Sequence, residues 1–164
     1  MEINKVFLSL GSNLGRRKKN LDNAISQLKF EVGNITNISK VYESEPWGLK
    51  NQNFFLNQVI ELKTSISPQN LLRCCKNIEN KMGRTKSIKW GERKIDIDIL
   101  YFSKKIIQQK KLTIPHPLIQ DRKFVLIPLN DLNKDFIHPI FKKTNHEILK
   151  NSKDTSKIYL YGNK

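Results

Sequence analysis

The chain has 164 residues and a formal net charge of +15 at neutral pH. A chain of this length forms one domain, which buries about 70% of the surface that the unfolded chain exposes. The sequence has no apolar run of the roughly 20 residues that a membrane helix needs, and residues 1–5 do not look like a signal peptide. We therefore expect a cytoplasmic protein without a membrane partner. Cys74 and Cys75 are adjacent and lack the spacing of metal ligands, so we expect reduced thiols.

The positive charge alone is weak evidence for nucleic-acid binding. Lysines outnumber arginines by 24 to 6 and are scattered along the chain, whereas paired hydrogen bonds to phosphates and bases favour arginine. A basic surface also attracts any polyanion without reading its sequence. We therefore expect most lysines to be solvated surface residues, and we predict no specific nucleic-acid partner.

The hydrophobic patterns predict the order strand, helix, strand, strand, helix, strand. A glycine-bounded turn over residues 11–15 follows the first strand, and a loop that contains Pro46 and Gly48 precedes the third. The second helix begins at Ser67-Pro68 and ends at Gly83. The predicted strands are residues 3–10, 35–42, 54–63, and a fourth with Asp96 and Asp98 that ends at Phe102.

The chain after Phe102 is less clearly patterned. We expect a short hairpin or irregular chain over 104–113, a rigid turn at Pro115-His116-Pro117, and a helix over 120–132 that is disturbed at Pro128. The pattern specifies no structure beyond Asp135. The β-α-β-β-α-β order predicts an α+β fold of the ferredoxin-like type, an antiparallel sheet with helices packed on it, and one domain over 1–164. This fold carries many functions and does not by itself indicate an activity.

Asp96 and Asp98 are the strongest candidates for a chemical role. Side chains two residues apart on a strand share a face, so both carboxylates point the same way, about 6.6 Å apart at a rise of about 3.3 Å per residue. Two hard oxygen ligands at this spacing suit Mg²⁺ and phosphate chemistry. A solvated strand face is the alternative for an isolated Asp-x-Asp motif. The basic residues Arg84, Lys86 and Arg93 favour the first interpretation because they could neutralise both the carboxylates and a polyphosphate.

Several aromatic and polar residues outside this motif are also candidates. Trp47 and Phe55 offer stacking faces beside Asn57, whose amide is both a donor and an acceptor and suits a heteroaromatic ring. Surface positions are the alternative for Trp47 and for His116, which lies between two prolines. Trp90 lies within the basic loop, where a large aromatic residue is typical of a lid. The turn over residues 11–15 is not a Walker phosphate loop, and a plain turn is the simpler interpretation.

Together these segments resemble the 6-hydroxymethyl-7,8-dihydropterin pyrophosphokinase family of folate biosynthesis. The resemblance covers roughly residues 3–132 in the same order and with similar spacing. It is carried by Gly11-Ser12-Asn13-Leu14-Gly15, Ser44 with Pro46 and Gly48, Phe55-Leu56-Asn57, Gly83-Arg84, Lys89-Trp90-Gly91, Arg93, Ile95-Asp96-Ile97-Asp98-Ile99-Leu100, Pro115-His116-Pro117, and Arg122 with Phe124.

The resemblance implies transfer of pyrophosphate from ATP to the hydroxymethyl group of the pterin, giving AMP and the pterin diphosphate. It implies that Asp96 and Asp98 bind two Mg²⁺ ions. The residues that it implies for phosphate binding are Lys86, Arg93, His116 and Arg122. We add Arg84 as a catalytic residue. The residues that it implies for pterin binding are Ser44, Gly48, Phe55, Asn57 and Phe124, with Trp90 as a lid. We add Trp47 to this group. Besides the phosphate-binding residues, the residues that it implies for ATP binding are Leu72, Glu79, Trp90, Ile99 and Thr113. We add Lys111 to this group.

The sequence departs from the family pattern at a few positions. Lys86 and Lys89 stand where arginine is common, Ser44 where threonine is common, and Glu92 where proline is common. Lysine keeps the charge but loses the planar fork of arginine. No side chain is an obvious general base, so we expect metal-assisted deprotonation of the hydroxyl. We expect a monomer that takes small-molecule substrates. The alternatives are a Mg²⁺-dependent nuclease and a ferredoxin-like RNA-binding module, although no segment matches the aromatic strand motif of the latter.

Overall fold

The computed structural model describes residues 1–83, 89 and 91–162. Its main element is a six-stranded sheet with helices on both faces. The strands are β1 Asn4–Ser12, β2 Asn34–Ile38, β3 Tyr42–Ser44, β4 Phe55–Thr64, β5 Asp96–Phe102, β6 Ile107–Gln108, β7 Thr113–Ile114 and β8 Ile158–Leu160. The helices are α1 Arg17–Glu31, α2 Pro68–Lys81, α3 Lys123–Asn133 and α4 Asn145–Lys150, and a single 3-10 turn covers Ile119–Asp121.

The strand order in the main sheet is β5-β1-β4-β3-β8, and β2 also pairs with β4. Every pairing in this sheet is antiparallel. The strands β6 and β7 form a separate two-stranded hairpin. The predicted α+β architecture, an antiparallel sheet with packed helices, is confirmed. Among the described residues, no helix is long and apolar enough to cross a membrane.

The predicted second strand over residues 35–42 is wrong as one continuous element, because the chain divides it into β2 and β3. Ile38 pairs with Ile60 and Tyr42 with Asn57, so the outer chain has one more residue than β4 between these pairs. Ser39 stabilises the resulting bulge, since its hydroxyl accepts from the N–H of Val59 at 2.9 Å. An extra residue bends the strand and ends the regular ladder.

The sheet separates two hydrophobic clusters. On one face α1 and α2 pack on side chains such as Leu8, Leu10 and Ile97. On the other face α3 and α4 pack on Phe7, Val59 and Tyr101. Consecutive residues of β1 are therefore buried, which explains its nearly continuous apolar run. The last part of the chain thus forms a second helical layer.

Both helix ends that the sequence predicted for α2 are confirmed. The hydroxyl of Ser67 accepts from the N–H of Asn70 at 3.2 Å, and Pro68 is the first helical residue. Gly83 has a φ of +89°, the left-handed conformation in which glycine commonly ends a helix. The helix predicted over 120–132 is instead a 3-10 turn followed by α3, and Arg122 between them is extended.

Residues 136–162, for which the sequence predicted no structure, contain the helix α4 and the strand β8. α4 begins with a capping box, in which Thr144 Oγ1 accepts from the N–H of Glu147 at 3.1 Å and Glu147 Oε2 accepts from the N–H of Thr144 at 3.0 Å. The Thr-x-x-Glu pattern is the sequence signal that predicts such a start. Further along, β8 pairs with β3 and extends the sheet by one strand.

His138 lies within the second hydrophobic layer and predicts a specific pH dependence of stability. Its Nδ1 accepts from the N–H groups of Ile140 at 3.2 Å and Phe141 at 3.1 Å, and its ring stacks on Phe141. Burial lowers the pKa of His138 to about 4. Between this pKa and the unfolded value of about 6.5, the unfolded chain binds the extra proton. We expect the contribution of this histidine to be fully present above pH 6.5 and to be lost, by up to about 3 kcal/mol, as the pH falls to 4.

The measurement is urea unfolding at several pH values for the wild type and for His138→Asn. Asparagine keeps an acceptor near the Nδ1 position but does not titrate. His116, whose pKa is also lowered, contributes over the same range in both proteins, so the difference isolates His138. We expect the asparagine variant to lose less stability between pH 6.5 and 4. Parallel curves for the two proteins would contradict this assignment.

Candidate active site

Asp96 and Asp98 lie on the face of β5 that belongs to the layer of α3. Across the ladder, Asp96 pairs with Gly11 and Asp98 with Ser9 on β1. On its other side Gly11 pairs with Asn57 of β4. A Cβ at Gly11 would meet Asn57 Oδ1 at 3.5 Å and Phe55 Cδ1 at 3.6 Å. We call Asp96 and Asp98 the acidic pair. Because Gly11 has no side chain, the surface of the sheet between the acidic pair and the Asn57 amide is uncovered. Glycine is often found where a ligand approaches a sheet closely.

The acidic pair has the electrostatics of a cation site. Burial and the neighbouring Asp96 carboxylate raise the pKa of Asp98 to about 7, although Arg122 and Lys76 act in the opposite direction. The guanidinium Nη1 of Arg93 lies 3.2 Å from Asp96 Oδ2. A bound divalent cation would relieve the repulsion between the two carboxylates.

The donor set fits Mg²⁺ in particular. In the described part of the chain, no group of three or more His, Cys, Asp or Glu side chains could hold a metal ion. An ion bound by Asp96 and Asp98 would take its remaining ligands from water or phosphate. Mg²⁺ commonly binds through one or two carboxylates together with waters and substrate phosphates. The residues therefore fit the magnesium that the sequence predicted.

His116 is held beside β5 with one ring nitrogen engaged. Its backbone N–H donates to the carbonyl of Leu100 at 3.0 Å, and its Nδ1 accepts from the N–H of Leu118 at 3.1 Å. Burial and the Arg122 charge lower the pKa of His116 to about 4, against the opposing effect of Asp96. The ring is therefore neutral at pH 7, and its hydrogen is on Nε2, where it can serve as a donor.

Arg122 connects the acidic pair with the aromatic residues. Its guanidinium carbon lies 4.6 Å from the centre of the Trp47 ring and 5.6 Å from that of Phe124. Burial lowers the pKa of Arg122, but Asp98 and Asp96 oppose this change, and an arginine stays charged at neutral pH. The tryptophan therefore holds the cation by a cation–π contact. Sequence reasoning placed Trp47 at the pterin, and in this structure one face of it is covered by Arg122.

The remaining residues predicted for the pterin meet where β3 and β4 pair. Asn57 Nδ2 donates to Ser44 Oγ at 2.7 Å, and both residues are buried. Ser44 pairs with the half-buried Phe55 across the two strands. Gly48 lies in the exposed loop after β3 with a φ of +88°, a conformation that favours glycine. These side chains present hydrogen-bonding groups and an aromatic face next to Gly11.

The residues predicted for the nucleoside lie elsewhere, around the edge of β5 that faces away from β1. Glu79 is almost fully buried, and its Oε1 accepts from the N–H of Ile97 at 3.3 Å and lies 3.4 Å from Lys76 Nζ. α2 and β7 both contact β5 at this edge. Ile99 of β5 belongs to the hydrophobic cluster under α1 and α2, and Leu72 of α2 packs against that cluster. Thr113 of β7 is exposed, as is Lys111 just before this strand. The acidic pair thus lies between the two predicted substrate regions.

Three predicted residues, Arg84, Lys86 and Trp90, lie outside the described residues.

The sequence analysis interpreted the turn that contains Asn13 as a plain turn and missed the role of this residue. Asn13 is almost fully buried. Its Nδ2 donates to Gln52 Oε1 at 2.9 Å and to the carbonyl of Asn53 at 3.1 Å, while its Oδ1 accepts from the N–H of Arg93 at 2.9 Å. One side chain therefore joins three loops around the site. An asparagine within a glycine-bounded turn was the signal that the sequence offered.

We expect Asn13→Ala to lower both stability and turnover. Loss of its hydrogen bonds leaves partly buried groups unpaired and should cost about 2 kcal/mol, which is a fall of roughly 4–8 °C in Tm for a domain of this size. We expect kcat to fall about 10-fold because Arg93 and the loop before β4 lose their common anchor. Asn13→Asp keeps the acceptor for Arg93 and should retain more activity. Unchanged kcat in Asn13→Ala would show that the loops are positioned independently.

An α+β sheet that carries a half-buried carboxylate pair beside basic and hydrogen-bonding side chains is typical of an enzyme that transfers phosphate groups. The comparisons agree, since the sequence profile of the 7,8-dihydro-6-hydroxymethylpterin-pyrophosphokinase (HPPK) family matches residues 7–134. The chain belongs to this family. It is a pyrophosphokinase of folate biosynthesis, and the nuclease and RNA-binding alternatives have no support.

Two bacterial relatives match over most of their length. The 2-amino-4-hydroxy-6-hydroxymethyldihydropteridine pyrophosphokinase of Aquifex aeolicus is 46% identical over 138 residues, which is 84% of this chain and 86% of that protein. The Bacillus subtilis protein of the same name is 40% identical over 130 residues, covering 79% and 78%. Folic acid synthesis protein fol1 of Schizosaccharomyces pombe is 44% identical over 138 residues, but the match spans only 19% of that longer protein.

Solved structures confirm the fold. A crystal structure of HPPK-DHPS in complex with substrates matches with a TM-score of 0.79 at 17% identity, covering 92% of this chain. Wild-type HPPK-DHPS of Plasmodium falciparum matches with a TM-score of 0.73 at 19% identity, covering 91%. The chain spans 43% and 44% of those two chains, so the match covers only one part of each.

Proposed function

We propose that this pyrophosphokinase uses ATP as donor and 6-hydroxymethyl-7,8-dihydropterin as acceptor, and that residues 1–164 form one catalytic domain. The observation that carries the proposal is the row Asp96, Gly11, Asn57 across three neighbouring strands. It brings a predicted metal site and a predicted pterin site to the same face of the sheet. The names of the bacterial relatives support the same substrates.

Asp96 and Asp98 would bind magnesium. The family resemblance implies two ions. Bound magnesium would neutralise phosphate charge and polarise the pterin hydroxyl. The protein contributes a fixed pair of carboxylates, because β5 is paired along its length with β1 and carries apolar side chains on its opposite face. Metal loading also lowers the proton affinity of the pair, since a cation favours ionised carboxylates.

The phosphates would be held by Arg93, His116 and Arg122. The two guanidinium groups supply positive charge next to the acidic pair, and the neutral imidazole supplies a donor. Phosphoryl transfer requires in-line positioning and charge neutralisation more than covalent catalysis, so a rigid basic surface suffices. Arg84 and Lys86 remain predictions from the sequence for the same role.

The pterin would bind through hydrogen bonds to Ser44, Gly48 and Asn57. An amide presents a donor and an acceptor side by side, which matches the edge of a pterin ring. Phe55 and Phe124 would stack on its faces, and Trp47 and Trp90 remain predicted neighbours. Binding of the ring between rigid groups would exclude water from the hydroxymethyl oxygen. The residues proposed to contact ATP beyond its phosphates are Leu72, Glu79, Ile99, Lys111 and Thr113.

We further propose a cytoplasmic monomer that takes small molecules as its only specific partners. The supporting points are the diffuse distribution of lysine and the absence of an RNA-binding motif from the sequence. Sedimentation at micromolar concentration tests the monomer, and a second, faster boundary would contradict it.

The direct test incubates the protein with Mg²⁺, ATP and 6-hydroxymethyl-7,8-dihydropterin and follows nucleotide products by chromatography. We expect AMP to form in equal amount to the pterin diphosphate, and only when the pterin is present. Formation of ADP, or of AMP without pterin, would contradict the proposed reaction. Removal of magnesium with EDTA should stop AMP formation, and added Mg²⁺ should restore it.

A further inference from the structure

The segment Ser152–Ile158 lies beyond residues 7–134, the part of the chain that matches the family profile. We call residues 152–158 the C-terminal strap. It contacts two elements of the candidate site, the first turn of α3 and the loop that carries Trp47. The strap leads directly into β8, which pairs with β3 and so fixes its far end in the sheet.

Asp154 is the strap residue that contacts α3. Its Oδ2 accepts from the backbone N–H of Lys123 at 2.9 Å, and its Oδ1 accepts from the N–H of Ser156 at 2.9 Å. α3 begins at Lys123, and Arg122 at its N-cap makes no side-chain capping hydrogen bond. A residue 31 positions later therefore supplies the capping carboxylate that helices usually take from the N-cap residue itself.

The charge of Asp154 suits this position. Burial raises the pKa of its carboxyl, but the N–H groups of Lys123 and Ser156 outweigh that effect, so the pKa is lowered. A negative charge at the first turn is favoured by the helix dipole. Both oxygens are engaged, so the carboxylate has a single orientation.

The residues on either side of Lys123 are both candidate site residues. Arg122 precedes it and lies over the Trp47 ring at 4.6 Å, and Phe124 follows it. At the other end of the strap, the N–H of Lys157 donates to Glu45 Oε1 at 3.3 Å, two residues before Trp47. A cavity of about 340 Å³ separates the strap from residues 45–50. The strap therefore contacts both the start of α3 and the loop that carries Trp47.

We infer that Asp154 is a positioning residue for pyrophosphoryl transfer, which fixes the Lys123 backbone so that Arg122 stays over Trp47 beside the acidic pair. This inference rests on the proposed role of Arg122 in holding phosphate. The hydrogen bonds of the Asp154 carboxylate go to the backbone N–H groups of Lys123 and Ser156 and not to the substrate. Its effect on the reaction must therefore pass through α3.

A double-mutant cycle tests the inference. The four proteins are the wild type, Asp154→Ala, Arg122→Ala and the double variant, and the measured quantity is kcat/KM for ATP in AMP formation. We expect Asp154→Ala to lower kcat/KM about 10-fold in the wild-type background and less than about twofold in the Arg122→Ala background. Equal losses in both backgrounds would overturn the inference, because a general loss of structure does not depend on Arg122.

Trp47 fluorescence provides a readout that requires no turnover. In a Trp90→Phe background Trp47 is the only tryptophan, and the stacked guanidinium affects its emission. We expect Asp154→Ala to shift the emission in the same direction as Arg122→Ala, with no further shift in the double variant. The exposed neighbour Lys153 is the matched control, and Lys153→Ala should leave both emission and kcat/KM unchanged. A shift as large in Lys153→Ala would overturn the inference.

Unfolding is measured for every variant, and Asp154→Asn, which keeps one acceptor, is used if the alanine variant does not fold. We expect Asp154→Asn to lie between the wild type and Asp154→Ala in both readouts. If Arg122→Ala retains full activity, the proposed role of Arg122 fails. If Arg122→Ala loses activity and the Asp154 effect is additive, only the strap inference fails.

Discussion

Replacing either carboxylate of the acidic pair is expected to abolish pyrophosphoryl transfer without unfolding the protein. Asp96→Asn and Asp98→Asn should each lower kcat at least about 10³-fold, because each removes a metal ligand and several kcal/mol of charge stabilisation in the transition state. Burial and the neighbouring Asp96 already oppose ionisation of Asp98. Asp98→Asn should therefore leave Tm unchanged or raise it in metal-free buffer, whereas Asp96→Asn should lower Tm slightly because it weakens the ion pair with Arg93.

The measurements are steady-state AMP formation at saturating Mg²⁺ and thermal unfolding with EDTA. Asp135→Asn is the matched control, since this exposed aspartate lies just beyond α3 and is not among the residues proposed to bind metal or substrate. It should keep wild-type kinetics. Near-normal kcat in Asp96→Asn or Asp98→Asn would rule out the metal assignment. A large fall in Tm would mean that the pair has a structural role.

The second large effect is expected at Asn57. Asn57→Ala removes an amide that is buried against Ser44 and proposed to bind two edge groups of the pterin. Loss of two hydrogen bonds in a dry site should weaken pterin binding about 100-fold, or about 2–3 kcal/mol. Binding of a non-hydrolysable ATP analogue should change less than about twofold, because the proposed nucleoside residues lie on the other side of β5.

Isothermal titration with each ligand separately measures both effects. Asn37→Ala is the control, because it removes an exposed amide from β2 of the same sheet. Asn57→Asp keeps the oxygen that lies beside Gly11 but loses the Nδ2 group that donates to Ser44, so we expect it to bind the pterin as weakly as Asn57→Ala. Equal weakening of both ligands by Asn57→Ala would indicate general damage to the sheet. Unchanged pterin affinity would place the ring elsewhere.

Local patterns predicted the parts of the fold that depend on neighbours in sequence. The capping serine and terminal glycine of α2 are set within a few residues, and both are confirmed. The division of β2 from β3 was missed because a bulge at Ser39 depends on hydrogen bonds to β4, 20 residues away. The strand β8 was missed for the same reason, since it is stabilised by pairing with β3, whereas the start of α4 has a local signal in Thr144 and Glu147.

In the candidate site, too, some features follow from local sequence patterns and others depend on distant contacts. The period of two along a strand was enough to put Asp96 and Asp98 on one face, and the family resemblance supplied the predicted partners. The sequence by itself thus determined the family, the β-α-β-β-α-β order of the first part of the chain and the acidic pair. Only the tertiary structure decided that Gly11 separates Asp96 from Asn57, that Asn13 joins three loops, and that Asp154 caps α3. The physical reason is that these contacts depend on sheet register and on the packing of a distant segment, which local periodicity does not encode.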